Sequence, residues 1–182
     1  MPVFCQDSGM VQPNDITIAP KSGRVSLSGM NCPATTKVSA GDLWACDKAS
    51  QATKLVQFQR TNGIEVSQDE KTLYLSESIN KNWNITSNII YAFDLDSKVG
   101  EISNKRVFVD FGKLDKTACA DIDSMRFDTQ GNLYVACNGI GKVAKIFPAG
   151  KLLAYTDVAG IVDVTNLEFG GKSDTDLYVG GT

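Results

Sequence analysis

The sequence contains no histidine among its 182 residues. Without an imidazole, the chain can form neither a Ser-His-Asp triad nor a Cys-His pair, and it cannot bind zinc through histidine. Any catalysis by this chain would therefore use carboxylates, amides, hydroxyls, lysine or a metal held by oxygen atoms.

Several other signals are missing as well. No apolar run approaches the roughly 18 residues that a membrane span needs. The net charge is −3 and Lys and Arg do not cluster, so nothing favours nucleic acid as a partner. The opening MPVFCQDSGM has neither the basic start nor the apolar core of a secretory signal. We therefore expect no membrane or nucleic-acid partner, and a cytoplasmic location by default.

The five cysteines are irregularly spaced, and none forms a C-x-x-C pair. This excludes a zinc ribbon and a thioredoxin-like redox motif. Cys46 and Cys137 lie in strand-like runs, where free cysteine usually behaves as a small buried hydrophobe. One disulfide remains an alternative in an oxidising compartment.

Strand patterns dominate what is present. Runs with alternating apolar residues, such as NLYVAC and IIYAFDL, are punctuated by Gly, Asp, Asn, Ser and Pro, and few windows have helical periodicity. One pattern recurs: an Asn or Asp opens a short strand, a turn follows, and a second strand begins 10 or 11 residues later. The opening residues of the three copies are Asn14, Asn62 and Asp123.

Repeated four-stranded units of this length are typical of β-propeller blades. We predict an all-β fold and a single partial β-propeller domain over residues 1–182. The predicted blades are 14–59, 62–111 and 123–158, with a half blade at 165–182. Propellers have 4 to 8 blades, so about three and a half indicate a truncated chain. The alternative is two copies that complete a ring, and open sheet edges could also support self-association.

The first strand of each propeller blade lines the central channel. Asn14, Asn62 and Asp123 should therefore converge near one channel mouth, where their oxygen atoms suit a hard divalent cation. The alternative is that Asn-Gly and Asn-Asp are ordinary turn pairs. The half blade at 165–182 contains a fourth, partial copy of the pattern. There, spacing selects Asn166 and strand parity selects Thr165, and we assign neither as a ligand.

The motifs PNDITIAP, NGIEVSQDEKTLYLSES, DIDSMRFDTQGNLYVA and TNLEFGG…LYVGGT resemble the gluconolactonase / senescence-marker-protein (regucalcin-like) family from about residue 12 onward. The resemblance implies a six-bladed propeller with one divalent metal at the channel mouth. Oxygen ligands favour calcium first for this metal, and magnesium, manganese or zinc are the alternatives. The resemblance also implies that Asn62 and Asp123 are metal ligands and that Asp123 is the catalytic base. Asn14 would contact substrate or metal, and the substrate would be a small sugar-type lactone.

Three departures from the family pattern bear on activity. The family's remaining ligand is a glutamate near the N-terminus, and this chain has no glutamate before Glu65. Gln12 stands where the family often has arginine, and Ser124 replaces a glycine. We therefore expect a metal-dependent lactone hydrolase that is weak or inactive as this chain stands. The alternatives are a non-catalytic propeller that serves as a binding scaffold, and a calcium-binding protein without turnover.

Overall fold

A computed structural model describes residues 3–33, 35–114 and 121–182 of the chain. These residues form four antiparallel sheets and a single short helix. The first sheet comprises β1 (Pro13–Ile18), β2 (Val25–Met30), β3 (Gly41–Cys46) and β4 (Ala52–Phe58). The second comprises β5 (Thr61–Val66), β6 (Thr72–Lys81), β7 (Asn84–Asp96) and β8 (Glu101–Asp110), followed by helix α1 (Phe111–Leu114). The third comprises β9 (Asp121–Phe127), β10 (Leu133–Asn138), β11 (Lys142–Ile146) and β12 (Leu152–Asp157), and the fourth pairs β13 (Val164–Gly170) with β14 (Asp176–Gly181).

Within each sheet the strands lie side by side in chain order. The first strands, β1, β5, β9 and β13, contact one another in succession. They therefore form the inner wall of an arc of sheets, as the first strands of propeller blades do. The predicted all-β, propeller-like fold is confirmed, whereas the assignment of the chain to one partial domain stays a prediction.

Three hydrophobic clusters lie between neighbouring sheets. Alternation along each strand sends one set of side chains to each face, and these sets meet the next sheet. Leu43, Ile64 and Leu73 are fully buried between the first and second sheets, and Ile122 and Met125 anchor the cluster between the second and third. A smaller cluster joins the third sheet to the fourth. The inner wall is therefore fixed by packing on both sides of β5 and β9.

The cysteines depart from expectation in one respect. Cys46 is buried as predicted, but it forms a disulfide with Cys5 and is not a free thiol. Cys137 is buried and free, as predicted, Cys32 is free and exposed, and Cys119 lies outside the described residues. Because disulfides persist in oxidising compartments, this pairing leaves the cytoplasmic location a prediction.

The sequence has no apolar run long enough to span a membrane, and the helices of the structure can be compared with that requirement. Within the described ranges, no helix has both the length and the apolar character required to cross a bilayer.

Candidate functional site

Each inner strand has a β-bulge near its start. The register of pairing shifts between Pro13 and Asp15, between Thr61 and Ile64, and between Val164 and Asn166. On β10, Val135 pairs with Met125 and Cys137 pairs with Ile122, so β9 has one extra residue between Ile122 and Met125. Bulges re-aim side chains and occur often next to active sites.

These bulges contain the residues that the sequence repeat selects. Asn14 and Asn62 lie in the bulges of β1 and β5, and Asp123 lies in the bulge of β9. In β13 the corresponding position is Thr165 rather than Asn166. Strand parity, and not spacing, therefore identifies the fourth copy.

Gly63 allows two inner strands to approach closely. The Asn62-Gly63 pair lies inside β5, so the alternative that it forms an ordinary turn is wrong. A Cβ atom at Gly63 would lie 2.0 Å from the backbone oxygen of Asp123. Only glycine fits this approach, which brings Asn62 next to Asp123.

Asn62 is 3% exposed. Its side-chain amide donates a hydrogen bond to the Asp123 carboxylate. Its backbone oxygen accepts a hydrogen bond from the Ser28 hydroxyl. Its Oδ1 atom is buried and has no hydrogen-bond partner in the described structure. Since a buried polar atom without a partner is costly, this oxygen is a candidate ligand atom.

Asp123 lies among other carboxylates. Burial, followed by the negative charges of Asp121 and Asp15, raises its pKa to about 7, and the hydrogen bond from Asn62 opposes this rise. Like charges this close disfavour ionisation of one another. A cation at this position would relieve their repulsion.

Asp15, rather than Asn14, is the buried acidic or amide side chain on β1. Asp15 is 6% exposed, and its two carboxylate oxygens accept hydrogen bonds from the backbone N–H groups of Ile64, at 3.0 Å, and Ile16, at 2.9 Å. Burial raises the pKa of Asp15, and these hydrogen bonds oppose that effect. Asp15 therefore ties β1 to β5. The structure brings Asn62 and Asp123 together and leaves Asn14 exposed, so the ligand or substrate role of Asn14 stays a prediction.

Two residues that the sequence reasoning missed complete this group. Arg60 is 5% exposed, and its Nη2 atom donates to Asp121 Oδ2 at 2.6 Å. Burial lowers the pKa of Arg60, but the hydrogen bond and charge of Asp121 outweigh it and raise the pKa. The missed residues are Arg60 and Asp121, and the repeat contained a signal for both. Arg60 stands two positions before Asn62, Asp121 stands two positions before Asp123, and Arg60 and Asp121 have opposite charge. We call Arg60, Asn62, Asp121 and Asp123 the Asp123 cluster.

A second polar group lies further along the same inner strands. Arg126 Nη1 donates to Glu65 at 3.1 Å, and its Nε donates to Glu168 at 2.8 Å. Glu65 also accepts hydrogen bonds from the Thr17 hydroxyl and its neighbour's backbone N–H, both at 2.9 Å. Burial raises the pKa of Glu65 and the charge of Arg126 opposes this. The two ion pairs join β9 to β5 and β13, and the hydrogen bond from Thr17 adds β1. We call this group the Arg126 network.

The Asp123 cluster fits a divalent cation only in part. The unpartnered Asn62 oxygen and the Asp123 carboxylate are hard ligands of the kind that calcium and magnesium prefer. However, the described ranges contain no group of three or more His, Cys, Asp or Glu residues arranged to hold a metal. The carboxylate of Asp15 is already bound to backbone groups. The cluster therefore supplies two ligands of an incomplete shell.

The fold and the cluster together define a class of protein: propeller-like chains whose inner strands present bulged polar residues at one end. A model of the SMP-30/gluconolactonase/LRE-like region matches residues 3–181. The chain belongs to the SMP-30/gluconolactonase/LRE-like family, as its motifs predicted.

Curated relatives of the chain include several regucalcins. Rabbit (Oryctolagus cuniculus) regucalcin is 30% identical over 155 residues, covering 85% of this chain and 48% of that protein. Chicken (Gallus gallus) regucalcin is 31% identical over 148 residues, covering 81% and 46% respectively. The chain thus spans about half the length of the curated relatives it matches.

Solved structures are similar over nearly the whole chain. Regucalcin from Agrobacterium tumefaciens, described as a calcium-binding protein, has a TM-score of 0.73 at 25% identity and covers 92% of this chain and 52% of its own. A luciferin-regenerating enzyme has a TM-score of 0.74 at 24% identity, with coverage of 92% and 52%. A gluconolactonase from Xanthomonas campestris has a TM-score of 0.70 at 21% identity, with coverage of 97% and 56%. The last two show the shared fold alone.

Proposed function

We propose that this chain carries part of the active site of a metal-dependent hydrolase of sugar-type lactones. The observation that carries the proposal is the pairing of Asn62 with Asp123: a buried amide oxygen without a partner lies beside a carboxylate crowded by two others. Membership in a family named for gluconolactonase supports the lactone as substrate. Calcium is the first candidate metal because two relatives carry the name regucalcin and a third is described as calcium-binding.

In this proposal, Asn62 Oδ1 and the Asp123 carboxylate are the groups that would hold the metal. A bound divalent cation would supply Lewis acidity toward the lactone carbonyl oxygen. Asp123 accepts the proton of the attacking water, as a carboxylate within hydrogen-bond reach of that water can. Asn62 orients Asp123 through its amide hydrogen bond, and Asn14 contacts the substrate from the exposed end of β1.

The proposal includes low activity for this chain alone. Two protein ligands are fewer than a calcium site normally has, since calcium takes six to eight oxygen atoms. No glutamate precedes Glu65 that could add a further carboxylate from the N-terminal side. We therefore expect weak calcium binding and slow turnover, below those of a complete family member.

The test is calcium titration by calorimetry, followed by a lactone-hydrolysis assay. We expect saturable binding that Asp123→Ala weakens by at least about 10-fold, because it removes the only charged ligand of the proposed pair. Asp157→Ala, at an exposed carboxylate on the outer strand β12, is the matched control and should bind as the unaltered chain does.

Each alternative function has its own outcome in this experiment. Calcium binding that depends on Asp123 without any turnover would favour a calcium-binding protein. Neither binding nor turnover in the unaltered chain would contradict the hydrolase assignment for this chain and favour a binding scaffold, since a fold alone does not fix function.

A further inference from the structure

The guanidinium of Arg60 is only partly used by the protein. Its Nη2 atom donates to Asp121 at 2.6 Å and to the Cys32 sulfur at 3.4 Å. Its Nε and Nη1 atoms are buried, and neither has a hydrogen-bond partner in the described part of the chain. Buried donors of a charged group are the most costly to leave without partners. These two nitrogens are therefore candidates to donate to a ligand.

The fold does not treat all its arginines in this way. Arg126 also lies against the inner strands and is mostly buried, yet its Nε donates to Glu168 and its Nη1 donates to Glu65 and to the backbone oxygen of Met125. The open donors of Arg60 are thus a local property of the Asp123 cluster. They are not a general consequence of burying arginine in this protein.

Arg60 also lies where a ligand of the proposed active site would be. Its partner Asp121 is two residues before Asp123 and close enough to raise the pKa of that carboxyl. Asn62, two residues after Arg60, presents the unpartnered acceptor Oδ1. Cys32, which contacts the guanidinium, is exposed, so Arg60 lies just beneath the surface. Unused donors and an unused acceptor therefore flank the same pair of carboxylates.

We propose that Arg60 binds the carboxylate of a sugar acid beside Asn62 and Asp123. A planar guanidinium with free N–H groups matches a carboxylate. The adjacent Asp121 and Asp123 carboxylates would repel a doubly charged phosphate more strongly than a singly charged carboxylate. This inference rests on the proposed function, because a sugar acid is what lactone hydrolysis releases. It adds a ligand class and a binding residue that the metal-ligand assignment does not contain.

The test is a matched pair of probes in calorimetric and NMR titrations. Gluconate and glucitol share a six-carbon polyol chain. Gluconate ends in a carboxylate, whereas glucitol has a hydroxymethyl group at the same position. We expect gluconate to bind, to shift the Nε–H resonance of Arg60, and to bind at least about 10-fold more tightly than glucitol, since charge-assisted hydrogen bonds are the stronger kind.

Three variants locate the effect. Arg60→Met should weaken gluconate binding by at least about 10-fold, and Arg60→Lys, which keeps the charge but loses the planar donors, by a smaller factor. Arg60→Lys also keeps a cation beside Asp121, so it serves if Arg60→Met fails to fold. Arg106→Met, at an exposed ion pair on β8, should bind gluconate as the unaltered chain does.

Three outcomes would overturn the proposal. They are no gluconate binding by the unaltered chain, equal binding of gluconate and glucitol, and gluconate binding that inorganic phosphate displaces at equal concentration. Titrations with and without calcium separate this inference from the proposed function. Gluconate binding that depends on Arg60 without lactone turnover would sustain the binding site and remove the hydrolase. Lactone turnover without gluconate binding would sustain the hydrolase and remove the Arg60 binding site.

Discussion

Arg126 and Arg60 both lie against the inner strands, but their surroundings differ. Arg126 makes ion pairs with Glu65 and Glu168, and Glu65 accepts two further hydrogen bonds. Arg60 makes one ion pair and keeps two buried nitrogens without partners in the described structure. A polar group that the protein satisfies completely holds strands together, whereas one that it leaves open is available to a ligand.

The same contrast separates Asp15 from Asp123. Both carboxyl groups are drawn toward neutrality by burial, which raises their pKa. Asp15 is held by backbone N–H groups of β1 and β5 and serves the fold. Asp123 lies beside an amide whose oxygen is unsatisfied. The comparison therefore predicts that substitutions in the Arg126 network cost stability, and that those in the Asp123 cluster cost binding.

The largest effect on stability should come from Arg126→Met. This change leaves the mostly buried Glu65 carboxylate without its countercharge, which should lower the free energy of unfolding by about 3 kcal/mol. Urea denaturation followed by circular dichroism measures the loss. The control is Arg106→Met, which breaks an exposed ion pair with Asp94 and should cost less than about 1 kcal/mol. Equal losses in the two variants would show that the Arg126 network is not a stabilising element.

A smaller loss is expected for Gly63→Ala, which links the two regions because it disturbs the packing of β5 on β9. The added methyl group would meet the Asp123 backbone oxygen at 2.0 Å, so the strands must separate. Overpacking of this kind costs about 1–3 kcal/mol. The variant should also lose calcium binding, because Asn62 moves away from Asp123.

Gly112→Ala is the matched control for that experiment. Among the residues that the structure describes, its added methyl group would meet only the Asp110 side chain, at 3.3 Å. Unfolding and calorimetric titrations of the two variants should therefore differ. If Gly63→Ala keeps both its stability and its calcium affinity, the close approach of the strands does not build the site.

The sequence was sufficient to predict the strands. It also placed Asn14, Asn62 and Asp123 near one another, and the structure brings Asn62 and Asp123 together. Alternation of apolar residues is a local property, so it reports strands and the buried face directly. Repeat spacing then places equivalent residues of successive units at equivalent points of the inner wall. In the fourth unit, spacing favoured Asn166 and strand parity favoured Thr165, so the sequence left both open, and the structure places Thr165 in the bulge of β13.

Contacts that depend on the path of the chain in three dimensions could not be predicted. The bulges arise from pairing between strands, and the disulfide between Cys5 and Cys46 depends on where the N-terminal segment returns. The Arg60–Asp121 ion pair joins residues 61 positions apart. The repeat predicted that Asn14 points to the site, but Asn14 is exposed and its neighbour Asp15 is buried. The bulge of β1 at Asn14 turns Asp15 inward.

The smallest change in stability should come from Asn62→Leu, which most sharply separates the two regions. Leucine has nearly the shape of asparagine and removes the buried Oδ1 atom that lacks a partner, while it also removes the hydrogen bond to Asp123. Losing an unsatisfied group offsets losing a hydrogen bond, so the free energy of unfolding should change by less than about 1 kcal/mol. Calcium affinity should nevertheless fall by at least about 10-fold, because a proposed ligand atom is gone. Asn132→Leu is the control: that asparagine is also buried, but its amide donates to Asp128 at 2.8 Å, away from the Asp123 cluster. It should lose stability and keep calcium affinity, and the opposite pattern in the two variants would contradict the division between a structural and a ligand-binding region.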